Sequence, residues 1–384
     1  LIVINMCSVR QSAVDRVHGQ LNKIKKDKKK KPKVILTGCI LEKDKIKFKK
    51  TADFVLPIKS LPNWPKIINK QKIKETELTP TKNYLDIEPK YKDKFSTFIP
   101  ISNGCNNACT YCAVPYTRGP LVCRSHKKII EEVKKVIKNG AKEIWLLGQN
   151  VNDYASPSQP SIDFPELLKK INKIPGNFWI RFTSPNPADF NDKLINVISQ
   201  SQKITPYLNL PVQSGDNEIL KKMNRRYTVE QYKNLVKKLR KKIPDICLST
   251  DIIVGFPSET KKQFENTKKL MKEIKFDMAY VAQYSPRPGT TAARMKDNVP
   301  KEEKKKREKI LTEVLKKTAL ENNKKYIKKT EKTLVLKEKG GFLIGKTIHF
   351  KTIKFKGDKK LIGKFVNVRI TNALSWGLKG EIAK

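Results

Sequence analysis

Hydrophobic positions in this chain follow two periods, and where one gives way to the other its elements can be marked. LIVINMC (residues 1–7) and KVILTGC (33–39) are β-rich apolar runs that each end in a cysteine. Between them Ala13, Val14, Val17, Leu21 and Ile24 recur at helical spacing, so residues 1–39 read as strand, helix, strand. A right-handed crossover makes the strands parallel and brings Cys7 and Cys39 to one edge of a sheet, close enough to share a ligand. Residues 60–93, with Pro62, Pro65, Pro80 and Pro89 among charges, read as a boundary.

Beyond the boundary six strand-like runs follow, most of them leading into an amphipathic helix. They end in polar or Gly-rich stretches at residues 104–112, 148–152, 181–185, 211–215, 251–260 and 284–290. Ile129, Ile130, Val133, Val136 and Ile137 form one apolar helix stripe, stopped by Gly140. Thr228 with Gln231, and Thr260 with Gln263, have the spacing of capping boxes. Repeated strand–helix units predict an α/β fold, a parallel barrel with the C-terminal ends of all strands on one face. Gly-Pro-Ser turns follow strands in any α/β protein, so a single such stretch does not mark a site. From residue 327 onward short β-rich runs alternate with Gly turns, the pattern of a small antiparallel barrel.

The chemistry concentrates in residues 97–119, TFIPISNGCNNACTYCAVPYTRG, which hold three of the seven cysteines. Cys105, Cys109 and Cys112 stand at C-x3-C-x2-C behind the apolar run Phe98, Ile99 and Ile101, and Gly104 allows a tight turn beside them. Such gaps let three thiolates converge on one inorganic cluster and leave one iron of a four-iron cube open to a substrate or cofactor. A zinc knuckle is the alternative, with Cys123 or His126 as the fourth ligand past a Pro-Tyr-Thr-Arg-Gly turn. Cys7 and Cys39, taken alone, are equally readable as small buried hydrophobes.

Charge sharpens the picture. The chain has 384 residues, room for two or three domains, and carries 82 Lys and Arg against 37 Asp and Glu, a net charge of +45. Half of that excess belongs to solvated lysine-rich faces such as residues 25–33 and 301–309; the rest favours a polyanionic partner such as nucleic acid. No apolar run is long enough for a membrane span and the start has no signal-peptide pattern, so a cytoplasmic protein without a membrane partner is expected. The clustered cysteines fit a reducing compartment. The chain opens Leu-Ile-Val-Ile without an initiator Met, from which an N-terminally incomplete sequence is expected.

Tyr111, the aromatic before the last cysteine of the loop, adds the final element of a pattern that resembles the radical S-adenosylmethionine (SAM) superfamily. GCNNACTYCAVPYTRG resembles its methylthiotransferase branch in particular. Asn5-Met6-Cys7-Ser8-Val9-Arg10 and Thr37-Gly38-Cys39 are similar to two of the three cysteine motifs of that branch's N-terminal domain, and the segment after residue 327 looks like a TRAM RNA-binding domain. The resemblance covers nearly the whole chain. It implies an open (β/α)6 radical SAM barrel at 91–325, a truncated N-terminal α/β domain at 1–75 and a C-terminal small β-barrel (TRAM) at 327–384.

It further implies two 4Fe-4S clusters and SAM as cofactors. Cys105, Cys109 and Cys112 would hold the radical SAM cluster; Cys7 and Cys39 would hold the auxiliary cluster, their third partner lying upstream. Tyr111, Gln149, Asn150, Thr183, Gln213 and Ser214 would bind SAM, and Asp251 and Arg287 the substrate adenosine. In this chemistry one SAM supplies a methyl group and another the 5′-deoxyadenosyl radical that takes hydrogen from an unreactive carbon. The methylthio group would be added to C2 of a modified adenosine beside the anticodon of tRNA, at position 37. VPYTRG, LLGQNVNDY and YSPRPGTTAARMKDNVP most resemble the members acting on N6-dimethylallyladenosine. Members acting on threonylcarbamoyladenosine or on a ribosomal protein are the alternatives, as is an RNA-binding radical SAM protein that inserts no sulfur.

Partners implied are tRNA, an electron donor of flavodoxin or ferredoxin type and a sulfur source, with a monomer expected. Lys346, Lys354, Lys356, Lys364 and Arg369, interleaved with Phe350, Phe355 and Phe365, suit phosphate contact and stacking, unless two of those aromatics fill the small barrel's core. His18, His126 and His349 lie outside all six motifs and take no role; Cys123 and Cys247 read as ordinary cysteines. Asn209 stands where the family commonly has His, and Cys123 where it commonly has Ser.

Overall fold

The computed structural model describes residues 1–8, 11–26, 32–69, 85, 87–91 and 94–383. The chain divides into two compact units: Leu1–Pro89 with Asn103–Val122 and Ser285–Met295, and Lys90–Ser102 with Cys123–Tyr284 and Lys296–Lys384.

In the first unit β1 (Ile2–Cys7), α1 (Gln11–Lys26) and β2 (Val34–Cys39) form the expected crossover. The strands are parallel, and their register sets Cys7 opposite Cys39 at the C-terminal edge. Val14, Val17 and Leu21 of α1 pack with Met6, Leu36 and Phe48, and His18 stacks on Phe48. Helix α2 (Glu42–Lys49) leads to β3 (Phe54–Val55), which extends the sheet beside β2. The proline-rich boundary begins as folded chain. Its first part forms a 3-10 turn at Ile58–Asn63 and α3 (Trp64–Ile68), with Trp64 buried and its indole N–H shared between the Pro57 carbonyl and Ser60 Oγ. Pro80 lies outside the described residues. The unit also holds the cysteine loop with α4 (Val114–Arg118).

The second unit contains the barrel. Its strands are β4 (Ser96–Pro100), β7 (Glu143–Leu147), β8 (Trp179–Phe182), β9 (Tyr207–Asn209), β10 (Cys247–Val254) and β11 (Met278–Gln283), with the two-residue strands β5 (Ser102–Asn103) and β6 (Val122–Cys123) flanking the cysteine loop. They form two parallel three-stranded sheets, β4-β7-β8 and β9-β10-β11, linked by a parallel bridge between Ile180 and Ile204. Among the described residues β4 and β11 do not pair, so the barrel is open. Outside the strands lie α5 (His126–Lys138), α6 (Phe164–Asn172), α7 (Asp192–Gln200), α8 (Asn217–Lys222), α9 (Val229–Lys242), α10 (Lys261–Ile274) and α11 (Lys301–Lys324).

Both capping boxes form: the Thr228 and Thr260 hydroxyls accept from the N–H groups of Gln231 and Gln263, whose side chains return the bond. On α5, Ile129, Val133 and Val136 are buried, and Gly140 follows at φ +99°. Alternation along the strands sends Ile144, Leu146, Ile180 and Phe182 into the core beneath the helices and leaves Glu143, Trp145, Trp179 and Arg181 to the lumen.

The last segment closes as a five-stranded barrel, β12 (Thr330–Lys339), β13 (Phe342–Thr347), β14 (Thr352–Phe355), β16 (Gly377–Ile382) and β15 (Phe365–Leu374) in spatial order. The expected antiparallel pattern holds except at β14 and β16, which pair parallel. Of the three aromatics considered for stacking, only Phe355 is in this barrel's core. Phe350, at φ +61°, packs against Trp145 and Tyr207 of the large barrel, and Phe365 packs against Trp179.

Arg181 joins the two barrels. Its guanidinium is buried and donates to Glu143 Oε1 (2.6 Å), Thr205 Oγ1 (2.7 Å) and the carbonyls of Thr347 (3.0 Å) and Ile348 (3.0 Å). Glu143 also accepts from Ser96 Oγ. The rings of Trp179 and Phe350 lie about 5 Å from the cation. Replacing Arg181 with Met strands Glu143 without a counter-charge, a loss of about 3–5 kcal/mol. Chemical denaturation should show that loss, and Glu143→Gln added to Arg181→Met should recover much of it. A single variant within about 1 kcal/mol of the parent, a surface-like effect, contradicts this reading.

Candidate metal centre and barrel-mouth residues

The cysteine loop closes on glycine. Gly104 has φ +82°, and a Cβ there would stand 2.0 Å from the Pro120 carbonyl oxygen and 2.5 Å from that of Gly119. The Cys105 N–H reaches the Gly119 carbonyl (3.3 Å), and the Cys112 N–H bonds the Cys109 carbonyl (3.0 Å). All three thiols are half-buried. Two of the sulfurs accept from nearby N–H donors. Cys105 Sγ takes the Asn107 backbone (3.4 Å) and side-chain amides (3.5 Å), and Cys112 Sγ takes the Val114 N–H (3.5 Å). These bonds fix where the two sulfurs lie along the loop. Among the described residues no three His, Cys, Asp or Glu side chains gather on a single ion.

Arg118, at the end of α4, links this loop to β2. Its Nε donates to Cys39 Sγ (2.9 Å) and its Nη1 to Asn103 Oδ1 (2.8 Å). Hydrogen bonding from the Cys7 side chain, then the charge of Arg118, hold the Cys39 thiol down at about 6 against the opposing effect of burial. Cys7 is exposed and Cys39 buried. The sequence carried Arg118 inside YTRG but offered no signal for this bond, which depends on the fold. Segment Ser285–Met295 belongs to the same unit: the Ala292 N–H donates to the Thr110 carbonyl (2.8 Å). Arg287 is buried there, donating to the Ser8 carbonyl (3.1 Å), Gln11 Oε1 (3.2 Å) and Ser285. Its guanidinium is placed to hold the N-terminal strand–helix junction. Tyr111 is half-buried in the loop.

The other candidates lie in the second unit. Gln149, Thr183 and Gln213 are half-buried just beyond the strands. Gln213 has φ +69° and is pinned to β10, its N–H on the Asp251 carbonyl (2.8 Å) and its carbonyl taking the Ile253 N–H (3.0 Å). Asn150 is buried, its amide donating to Asp189 Oδ2 (3.2 Å) and its Oδ1 accepting the Asn186 N–H (3.3 Å). The Ser214 hydroxyl is buried beside Thr267 of α10. Asn150 and Ser214 therefore brace the strand ends. Asp251 belongs to a hydrogen-bonded ladder up the lumen. Tyr207 Oη meets Ser249 Oγ (2.9 Å), Ser249 Oγ donates to Asn209 Oδ1 (2.9 Å), and Asn209 Nδ2 donates to Asp251 Oδ2 (3.1 Å). Asn209 thus orients the Asp251 carboxylate.

The cysteine loop and the open six-stranded barrel define a class. Residues 99–271 match the model described as Radical SAM superfamily, residues 1–57 that of Uncharacterized protein family UPF0004, and residues 324–383 that of the TRAM domain. The fold agrees with that of the radical S-adenosylmethionine methyltransferase TsrM from Kitasatospora setae. Against that structure the TM-score is 0.55 at 14% identity, over 76% of this chain and 63% of that one, so this chain spans less than two thirds of TsrM. Sequence similarity reaches further. The chain is 42% identical to the tRNA-2-methylthio-N(6)-dimethylallyladenosine synthase of Clostridium botulinum over 99% of its own length and 88% of the relative's. With the same synthase of Acetivibrio thermocellus the identity is 39%, over 100% and 83%. The chain belongs to the radical SAM methylthiotransferases, in the family of the tRNA-2-methylthio-N(6)-dimethylallyladenosine synthases.

Gly104→Ala tests the loop geometry. A methyl group cannot fit against two fixed carbonyls, so iron and sulfide bound after reconstitution should fall well below the parent's, while far-UV circular dichroism stays unchanged. Full iron content in the variant contradicts the tight closure described.

Proposed function

We infer that this chain is a tRNA methylthiotransferase that adds a methylthio group to C2 of N6-dimethylallyladenosine at position 37, beside the anticodon. The observation that carries the reading is similarity at about 40% identity along nearly the whole chain to relatives named for that product. The cysteine loop supplies its chemistry. Cys105, Cys109 and Cys112 would hold a 4Fe-4S cluster, which when bound provides the electron for reductive cleavage of SAM and leaves one iron open to it. The chain's own residues position and shield the reactants.

Tyr111 of the cysteine loop, and Gln149, Asn150, Thr183, Gln213 and Ser214 at the strand ends of the barrel, are each proposed to contribute to SAM binding, Asn150 and Ser214 by bracing those strand ends. Asp251, held by Asn209, would accept a hydrogen bond from the adenosine. For Arg287 the proposed contribution to substrate binding is indirect, through the Ser8–Gln11 junction that it holds. Cys7 and Cys39, opposed in register, would supply two thiols to a second, auxiliary 4Fe-4S cluster. A net charge of +45 suits a polyanionic substrate. A flavodoxin- or ferredoxin-type electron donor, a sulfur source, a monomeric state and a cytoplasmic location complete the proposal. Among the described residues no helix is long and apolar enough to cross a membrane.

An anaerobic assay with reconstituted protein, SAM, reductant and tRNA tests this reading, with nucleosides resolved by mass spectrometry. The 2-methylthio product is expected from tRNA carrying N6-dimethylallyladenosine and not from tRNA carrying N6-threonylcarbamoyladenosine. The opposite preference, or SAM cleavage with neither nucleoside changed, overturns the substrate assignment.

A further inference from the structure

Trp376 is the exposed member of the chain's four tryptophans: 49% of it is accessible, against 5% for Trp64, 6% for Trp145 and 3% for Trp179. It sits in the turn between β15 and β16, and that turn is rigidly held. Asn323, buried near the end of α11, donates its side-chain amide to the carbonyls of Leu374 (2.7 Å) and Ser375 (3.4 Å). A cleft runs from Trp376 to Tyr280 of β11, itself 46% exposed, and Asn323 lines it. The other polar atom of Asn323, Oδ1, is buried and has no hydrogen-bond partner among the described residues. A buried amide oxygen left unmet is costly in an isolated protein and is met when a donor arrives.

A second observation lies beside the first. Lys354 on β14 and Lys379 on β16 are register partners, and both are exposed. The Lys354 ammonium also lies over the Phe342 ring, 3.8 Å from its centroid; like charges directly opposed across a ladder repel, and an anion beside the pair offsets that repulsion. Lys379 is three residues beyond Trp376, about 10 Å along the strand. A strand of RNA whose base lies on the indole would carry its phosphates over this pair.

We propose that Trp376 is a stacking platform for one unpaired nucleotide of the RNA substrate, with Tyr280 across the cleft, Asn323 accepting from the base edge, and Lys354 and Lys379 taking the phosphate. Planar aromatic faces bind any base, so this site contributes affinity and placement and leaves selection of the modified adenosine to the barrel. The assignment rests on the tRNA reading above and specifies where the RNA lies on the C-terminal barrel.

Tryptophan fluorescence and binding of tRNA carrying N6-dimethylallyladenosine, measured on the full chain at two salt concentrations, test it. With the other tryptophans buried, tRNA should quench the wild type, and the quench should vanish in Trp376→Phe while affinity stays within about 3-fold, because phenylalanine still stacks. Trp376→Ala should weaken binding about 5- to 100-fold at unchanged salt dependence. Lys354→Ala should lower the salt slope by about 1. Wild-type affinity in Trp376→Ala, or a quench that persists in Trp376→Phe, overturns the platform and leaves the function standing. A wild-type protein that binds no tRNA overturns both.

Discussion

A guanidinium sealed from water has to be met by its surroundings, and Arg181 is met by two barrels at once. Its charge is balanced by Glu143, one strand away, and its remaining donors run to Thr205 and to two carbonyls of the turn at residues 347–348. The geometry of that turn is set in return. Phe350 takes a left-handed conformation, which costs a bulky residue roughly 1–3 kcal/mol, and packs its ring beside Arg181, Trp145 and Tyr207. The RNA-binding barrel is therefore fixed to the catalytic barrel by a polar and aromatic joint. Lys351 on Asp277 (2.6 Å) and Tyr326 beside Cys247 (3.4 Å) extend the joint along the same strand ends. That rigidity gives the platform at Trp376 a defined position relative to the strand ends of its own unit.

A second arginine performs a similar task in the first unit. Arg118 spans from the cysteine loop to Cys39, favouring the thiolate there while holding the loop's base through Asn103. One side chain thereby conditions a proposed auxiliary ligand and braces the loop of the other three cysteines. In both places a planar five-donor group joins segments far apart in sequence, a task for which the point charge of lysine is poorly suited.

Much of this was legible in the residues alone. Apolar periodicity marked the strand–helix repeats, the capping boxes at Thr228 and Thr260 marked two helix starts, and the C-x3-C-x2-C spacing singled out the loop for which a cluster is proposed, because each is a local signal with a local cause. What escaped depends on tertiary direction. Ser214 and Asn150 sit at strand ends as expected, yet their side chains turn to Thr267 and Asp189, a choice no spacing encodes. Phe350 and Phe365 read as stacking residues because aromatics among lysines on a β-barrel usually are; the presence of a second barrel to pack against decides otherwise. Trp376, in contrast, lay in a Ser-Trp-Gly turn that periodicity treats as punctuation. Only its exposure beside three buried tryptophans distinguishes it.

The central claim is that the loop at residues 103–122 carries the SAM-cleaving centre. The most direct measurement is SAM cleavage, followed as 5′-deoxyadenosine release, together with iron content, in a variant with Cys105, Cys109 and Cys112 all replaced by alanine. The account predicts that release falls to background and iron drops by the equivalent of one cluster, with tRNA binding retained. Release that continues in that variant would contradict it and move the reactive centre elsewhere in the chain.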